Sequence, residues 1–152
     1  MKTGLIALNG CVQDAEKLRA QLLKYAGNLN FEHVIGVDGG CGVLELIEVT
    51  PTVILGDFDS VGNLERFKRK WPVAQVKTFQ VEKDFTDAEL AFEEMDQHHM
   101  DRVFVIGATG GRLDHQMSIL FLLKHHHRYC ILDEQNYIET IQTPYFKKRS
   151  EE

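Results

Sequence analysis

The chain has 152 residues, with 17 lysines and arginines against 23 aspartates and glutamates, a formal net charge of −6. That length predicts one domain with room for an apolar core, and the acidic balance argues against a nucleic-acid-binding protein, which would carry a basic face. The three cysteines, Cys11, Cys41 and Cys130, are widely separated and show no Cys-x-x-Cys, which excludes a zinc ribbon and argues against a disulfide framework.

Leu5 to Leu8 reads as the first strand, broken at Asn9-Gly10 and too short for a signal h-region. Asp14 to Tyr25 has Ala15, Leu18, Leu22 and Tyr25 at helical spacing, with Gly27-Asn28 as a stop. His33 to Val37 is the second strand, followed by Asp38-Gly39-Gly40; Val43, Leu44, Leu46 and Ile47 predict a short helix ended near Thr50-Pro51. Thr52 to Leu55 is a β-branched run that reads as a buried third strand, and it leads into Gly56-Asp57-Phe58-Asp59-Ser60.

Leu64 to Lys70 predicts a helix with a basic exposed face. Val73 to Val76, extending toward Phe79, predicts a fourth strand, and Trp71 beside Pro72 reads as a packing residue. After Lys83-Asp84-Phe85, Thr86 and Glu89 have the spacing of a capping box, so a helix should begin at Asp87 and run to about His98, burying Ala88, Ala91, Phe92 and Met95. Arg102 to Ile106 is a fifth strand feeding Gly107-Ala108-Thr109-Gly110-Gly111-Arg112. Asp114 is positioned to cap the next helix, whose Met117, Leu120, Phe121 and Leu123 are expected in the core. Tyr129 to Leu132 predicts a sixth strand and Tyr137 to Ile141 a seventh, opening a different, more alternating β region. No apolar stretch reaches the roughly 20 residues that span a bilayer; the reading is a cytoplasmic, reduced protein with no membrane partner.

Strands alternating with helices imply a mostly parallel sheet covered on both faces, a three-layer α/β/α domain. Ligands of such sheets bind at the carboxyl ends of the strands. Glycine and aspartate recur there: Asp38-Gly39-Gly40, Gly56 to Ser60, Lys83 to Asp87, and Gly107 to Asp114. Short βα loops account for the glycines but not for aspartates beside them, because carboxylates gathered on one rim repel unless a cation lies between them. Oxygen-only ligands suit Mg²⁺. Asp57, Asp59 and Asp87 are the expected metal ligands, with Asp38 and Asp84 in reserve. For Asp87 the plain alternative is a helix-start carboxylate favoured by the dipole. Lys83 can neutralise a phosphate or pair with an aspartate. The glycine-rich turn before Arg112 offers N–H groups to an anion, with Arg112 as clamp and His115 as a polarising group; it lacks the Gly-Lys-Ser/Thr of a P-loop. His98-His99 and His125-His126-His127 read as solvated helix ends, and Cys41 has no basic partner that would make it a nucleophile.

Four of these stretches together, Val37-Asp38-Gly39-Gly40, Pro51 to Ser60, Lys83 to Glu89 and Gly107 to His115, resemble thiamine pyrophosphokinases in content and order, over about residues 4 to 140. The resemblance implies transfer of a diphosphate from ATP to the hydroxyl of thiamine, with AMP leaving. It also implies Mg²⁺ held by the carboxylates at Asp57, Asp59 and Asp87. Nucleotide contacts are then expected from Asp38, Gly39, Gly40, Ser60, Lys83, Thr109, Gly110, Gly111, Arg112 and His115. Either Asp84 or Asp114 can accept the hydroxyl proton. The family is a homodimer with a second, β-rich domain that helps form the thiamine site. Here an α/β catalytic domain is expected over residues 1–135, and over 136–152 the start of a truncated β-rich region or a frayed tail. The C-terminal β-sandwich is then largely absent, leaving apolar surface open. Two other readings are a Mg-nucleotide-binding fragment without catalysis and an aspartate-nucleophile phosphatase built on Asp57-Phe58-Asp59.

Overall fold

The computed structural model describes residues 1–56, 61–78 and 86–141. Six strands run parallel: β1 (Thr3–Ala7), β2 (His33–Val37), β3 (Val53–Gly56), β4 (Gln75–Thr78), β5 (Arg102–Ile106) and β6 (Tyr129–Leu132). A short β7 (Tyr137–Glu139) pairs antiparallel with β6. Between them lie α1 (Ala15–Ala26), α2 (Gly40–Ile47), α3 (Val61–Lys70), α4 (Asp87–Asp96) and α5 (Leu113–Leu123). The sheet order is β4-β3-β2-β1-β5-β6-β7, a mostly parallel α/β sheet, as the alternation predicts.

The central strands are apolar on both faces because both faces are covered. Leu5 and Ala7 of β1 point into one core with Leu18 and Leu22 of α1, Leu44 and Ile47 of α2, and Phe67 of α3. Ile6 and Leu8 point the other way, into a core with Ala88, Phe92 and Met95 of α4 and Ile119 and Leu123 of α5. Trp71 is buried and stacks on Phe67 at 5.5 Å between ring centroids, the packing role its place beside Pro72 suggests.

Local sequence accounts for the helix starts and stops. Asp14 caps α1, its carboxylate accepting from Lys17 N–H at 3.1 Å, and Gly27 ends it with φ +86°, a left-handed step that glycine takes without steric cost. The Thr86 hydroxyl accepts from Glu89 N–H at 3.2 Å while the Glu89 carboxylate accepts from Thr86 N–H at 3.4 Å, so both arms of the expected capping box are present.

Three expectations change. Val73 sits in a turn after Pro72 and is 87% exposed; β4 starts only at Gln75, where pairing with Val53 begins. The strand at Tyr137 joins the same sheet, with Ile138 opposite Ile131. Helix α5 buries Ile119 and Leu123, whereas Met117, Leu120 and Phe121 are exposed by 47%, 42% and 68%. The helix is apolar almost all round, so spacing alone does not say which stripe meets the sheet; the sheet engages the Ile119–Leu123 stripe, four residues apart.

Phe92 is wholly buried in its core, whereas Thr86 acts only at a helix end. We expect Phe92→Ala to cost about 3–5 kcal/mol and Thr86→Ala about 0.5–2 kcal/mol, measured by urea unfolding. Equal losses would contradict this division between core and cap.

Candidate functional site

Each helix begins after the carboxyl end of a strand, so the five helix amino termini and their N–H groups share one rim of the sheet. That rim is favourable for anions. The chain leaves β1 toward β2 on one side, while β5 lies on its other side. Neighbouring loops therefore diverge there and open a crevice, the place where open α/β sheets bind ligands.

Close backbone packing defines the crevice. The β1–β5 ladder runs beyond the strands, with Leu8 N–H donating to Ile106 O at 2.8 Å. The chain turns at Gly107 with φ +71°, directly against the Leu8 carbonyl, and a methyl group at Gly107 would collide with it. Beside this turn is a cavity of about 520 Å³ lined by Cys11, Thr109, Gly110, Gln116, Asp133 and Asn136, among others. The Thr109 hydroxyl donates to Asp133 Oδ2 at 2.8 Å. Burial alone would raise the Asp133 carboxyl. Hydrogen bonds from the Asn136 side chain, Gln135 N–H and the Thr109 hydroxyl outweigh it and hold Asp133 below the usual carboxylate range. Next to it, the Glu134 carboxylate accepts from Gln13 N–H at 3.1 Å and Asp14 N–H at 3.3 Å. It ties the β6 loop to the start of α1. Asp133 and Glu134 were not among the expected site residues. Their signal is the pattern seen at Val37-Asp38, an acidic residue directly after a buried strand.

Farther along the rim, the ladder carries Asp38 past the end of β2: its N–H donates to Leu55 O at 2.9 Å, and its own carbonyl accepts from Cys41 N–H at 3.1 Å. Asp38 is half-buried and has φ +47°. Its carboxylate lies against the backbone of Gly56, whose φ is +147° and where a methyl group would collide with Asp38 Oδ1. Asp38 thus sits against Gly56, the residue that precedes Asp57 in the sequence. Gly39 and Gly40 form the start of α2, with the Asn9 side chain against Gly39 and the Ala7 carbonyl against Gly40. Cys41 behind them is fully buried, and burial pushes its thiol up to about 12. It is an inert core thiol, in keeping with its lack of a basic partner.

Asp87 occupies the first turn of α4, on the same rim and partly exposed. Asp57, Asp59, Ser60, Lys83 and Asp84 lie outside the described residues. Gly110, Gly111, Arg112, Asp114 and His115 are exposed around the start of α5. Arg112, not Asp114, is the residue preceding that helix, and it makes no side-chain cap. The Asp114 carboxylate instead accepts a two-pronged contact from Arg112, at 3.1 and 2.7 Å. This guanidinium holds the Asp114 carboxyl below the usual range. Both side chains are solvent-facing, so the pair adds little stability and is free to exchange partners. The histidine run is not simply solvated: His126 Nδ1 is 2.7 Å from Leu122 O, and its ring packs on Phe92 and Tyr129.

The family model of the thiamin pyrophosphokinase catalytic domain matches residues 28–132. The thiamine pyrophosphokinase of Bacillus subtilis strain 168 is 34% identical over 109 residues, covering 69% of this chain and 51% of that protein. The chain thus spans about half the length of this relative. The crystal structure of thiamine pyrophosphokinase from Bacillus subtilis matches with a TM-score of 0.70 at 28% identity, over 91% of this chain and 64% of that one. The corresponding structure from Geobacillus thermodenitrificans gives 0.71 at 26% identity, over 91% and 62%. The yeast structure, with a TM-score of 0.65 at 16% identity, over 86% and 58%, shares the fold.

The contact of Asp38 with Gly56 generates a stability test. Gly56→Ala is expected to cost about 1–3 kcal/mol, the scale of a strained backbone position. In the Asp38→Gly background the cost should be smaller, because the colliding carboxylate is gone. Strict additivity in urea unfolding would show that the two residues do not meet.

Proposed function

The chain belongs to the thiamin pyrophosphokinase catalytic-domain family, and on that footing we propose that it transfers the diphosphate of ATP to the hydroxyl of thiamine, releasing AMP. The observation that carries this reading is the single rim that holds Asp38, Gly56 and Asp87 on three successive βα connections, beside a crevice at the β1–β5 divergence. Diphosphate transfer depends on positioning and charge neutralisation more than on covalent help, and a rim of helix amino termini with carboxylates among them supplies both kinds of group.

The donor set fits Mg²⁺, since every candidate ligand offers carboxylate oxygen and the Asp38 carboxylate packs against Gly56, the residue before Asp57. Asp57, Asp59 and Asp87 would hold the ion. When bound, it neutralises phosphate charge and polarises the transferred group. The exposed Gly110 and Gly111, just before α5, would offer their N–H groups to triphosphate oxygens. Arg112 can leave Asp114 for a phosphate, a bidentate exchange that its geometry allows. That release frees the Asp114 carboxylate as one candidate for the thiamine hydroxyl proton, with Asp84 the other. The crevice lined by Thr109 and Asp133 has the size and polar rim of a small-molecule site. As in the family resemblance, the partner set is ATP and thiamine. The expected cellular setting is the cytoplasm; among the described residues no helix is long and apolar enough to cross a membrane.

The test is a titration of the chain with ATP and Mg²⁺, repeated with Asp57→Asn and Asp59→Asn. Each variant should bind Mg-ATP at least about tenfold more weakly, the scale of a lost charged contact; unchanged affinity rejects the metal assignment. Incubation with ATP and thiamine should release AMP. Binding without AMP release favours the other reading, a Mg-nucleotide-binding module without catalysis.

A homodimer is part of the same reading. The exposed stripe Leu113, Met117, Leu120 and Phe121 on α5 is the apolar surface that supports it. Sedimentation should give twice the chain mass, falling to one on Phe121→Glu; a wild-type monomer at high concentration rejects the dimer.

A further inference from the structure

The opposite edge of the sheet carries a second cluster of polar side chains. His33 opens β2 and is only 7% exposed. Its Nδ1 is 2.9 Å from the Thr52 hydroxyl. That hydroxyl accepts from Val34 N–H at 3.0 Å and donates to Val34 O at 2.9 Å. With its one proton engaged, it can meet the ring only as an acceptor, which puts the histidine proton on Nδ1. Nε2 is then a bare lone pair, and among the described residues this buried atom has no hydrogen-bond partner. Leaving such an atom unmatched costs about 1–3 kcal/mol.

Two other ligand-bearing side chains come from the end of α4 and the turn after it. The His98 ring stacks on His33 with centroids 3.7 Å apart, and its Nε2 is 3.6 Å from Glu94 Oε1. Ligand atoms of His33, Glu94 and His98 all lie within 4.8 Å of one another. On a zinc ion, with bonds of about 2.0–2.2 Å, ligand atoms sit about 3–4 Å apart, so binding requires the Glu94 and His98 side chains to close and the exposed His98 ring to turn out of its stack on His33.

We propose that His33, Glu94 and His98 form a binding site for a divalent transition metal, Zn²⁺, remote from the nucleotide rim. Two imidazoles and one carboxylate match zinc's nitrogen and oxygen preference and disfavour Mg²⁺. The Thr52 hydroxyl behind His33 is the outer-shell acceptor that fixes a ligating imidazole. A ligating imidazole must be neutral, and the Thr52 hydroxyl at Nδ1 leaves the second ring nitrogen of His33 as the donor. Lys77 is the resident competitor: its Nζ holds the Glu94 oxygens at 2.8 and 3.0 Å. Its side chain is 37% exposed and can withdraw into solvent when the metal enters. Occupied, the site would join β2 to the end of α4, the helix whose first turn carries Asp87.

The metal-free chain is titrated with Zn²⁺ in excess Mg²⁺, by calorimetry and by thermal unfolding. One Zn²⁺ should bind per chain and raise the melting temperature. His98→Ala, at an exposed position that leaves the core intact, and Glu94→Gln should each weaken binding by at least about tenfold, whereas Lys77→Met should tighten it. Co²⁺ in place of Zn²⁺ should show ligand-field absorption that His98→Ala removes. The proposal is overturned if Zn²⁺ does not bind saturably, or if both variants retain wild-type affinity, which would place the ion elsewhere on the chain. Weaker binding in Lys77→Met would also overturn it, since competition with the ammonium requires the reverse.

Discussion

The parallel contact of β1 with β5 is the constraint on which the rest of the chain depends. Register from Thr3 opposite Arg102 to Ala7 opposite Ile106 joins segments about a hundred residues apart in sequence. It sets the two halves of the sheet side by side, with connections running away from the join in opposite directions. The loops after these two strands must then turn within van der Waals contact, and Gly107 against the Leu8 carbonyl is where they do so. A side chain there would separate the strands or displace the turn. The crevice bordered by Thr109 and Asp133 is the space left above that contact.

The same geometry explains why acidic groups from distant segments share a rim. Parallel strands end in the same direction, so any residue just past a strand end joins its counterparts from neighbouring strands. Asp38 meets this condition after β2, against Gly56 at the end of β3, and Asp87 joins the rim from the first turn of α4. Helix amino termini on that rim offset part of the carboxylate repulsion. The opposite edge gathers helix carboxyl ends by the same logic, and there His33, Glu94 and His98 come together. A sheet of this kind thus has an oxygen-rich edge and an edge where histidines at helix ends accumulate.

Much of this was legible in the residues. The capping box at Thr86 and Glu89 and the strands at His33–Val37 and Arg102–Ile106 follow from local chemistry and match the structure. So does the inert character of Cys41. Other features were not. The exposed stripe of α5 was misread because a helix apolar on nearly every side has no preferred face until a sheet chooses one. Asp114 was expected as a cap, but the helix already begins at Leu113, so the Asp114 carboxylate lies within the first turn and accepts from Arg112 instead.

Sequence by itself determined the elements, their order and the Asp–Gly punctuation at strand ends, because these depend on each residue's nearest neighbours along the chain. Only the tertiary structure decided which strand ends are adjacent, that Asp133 faces Thr109, that β7 closes onto β6, and that the buried His33 lies beside Glu94 and His98. Those relations depend on the register and order of strands joined across the whole chain, and no stretch of sequence carries them alone.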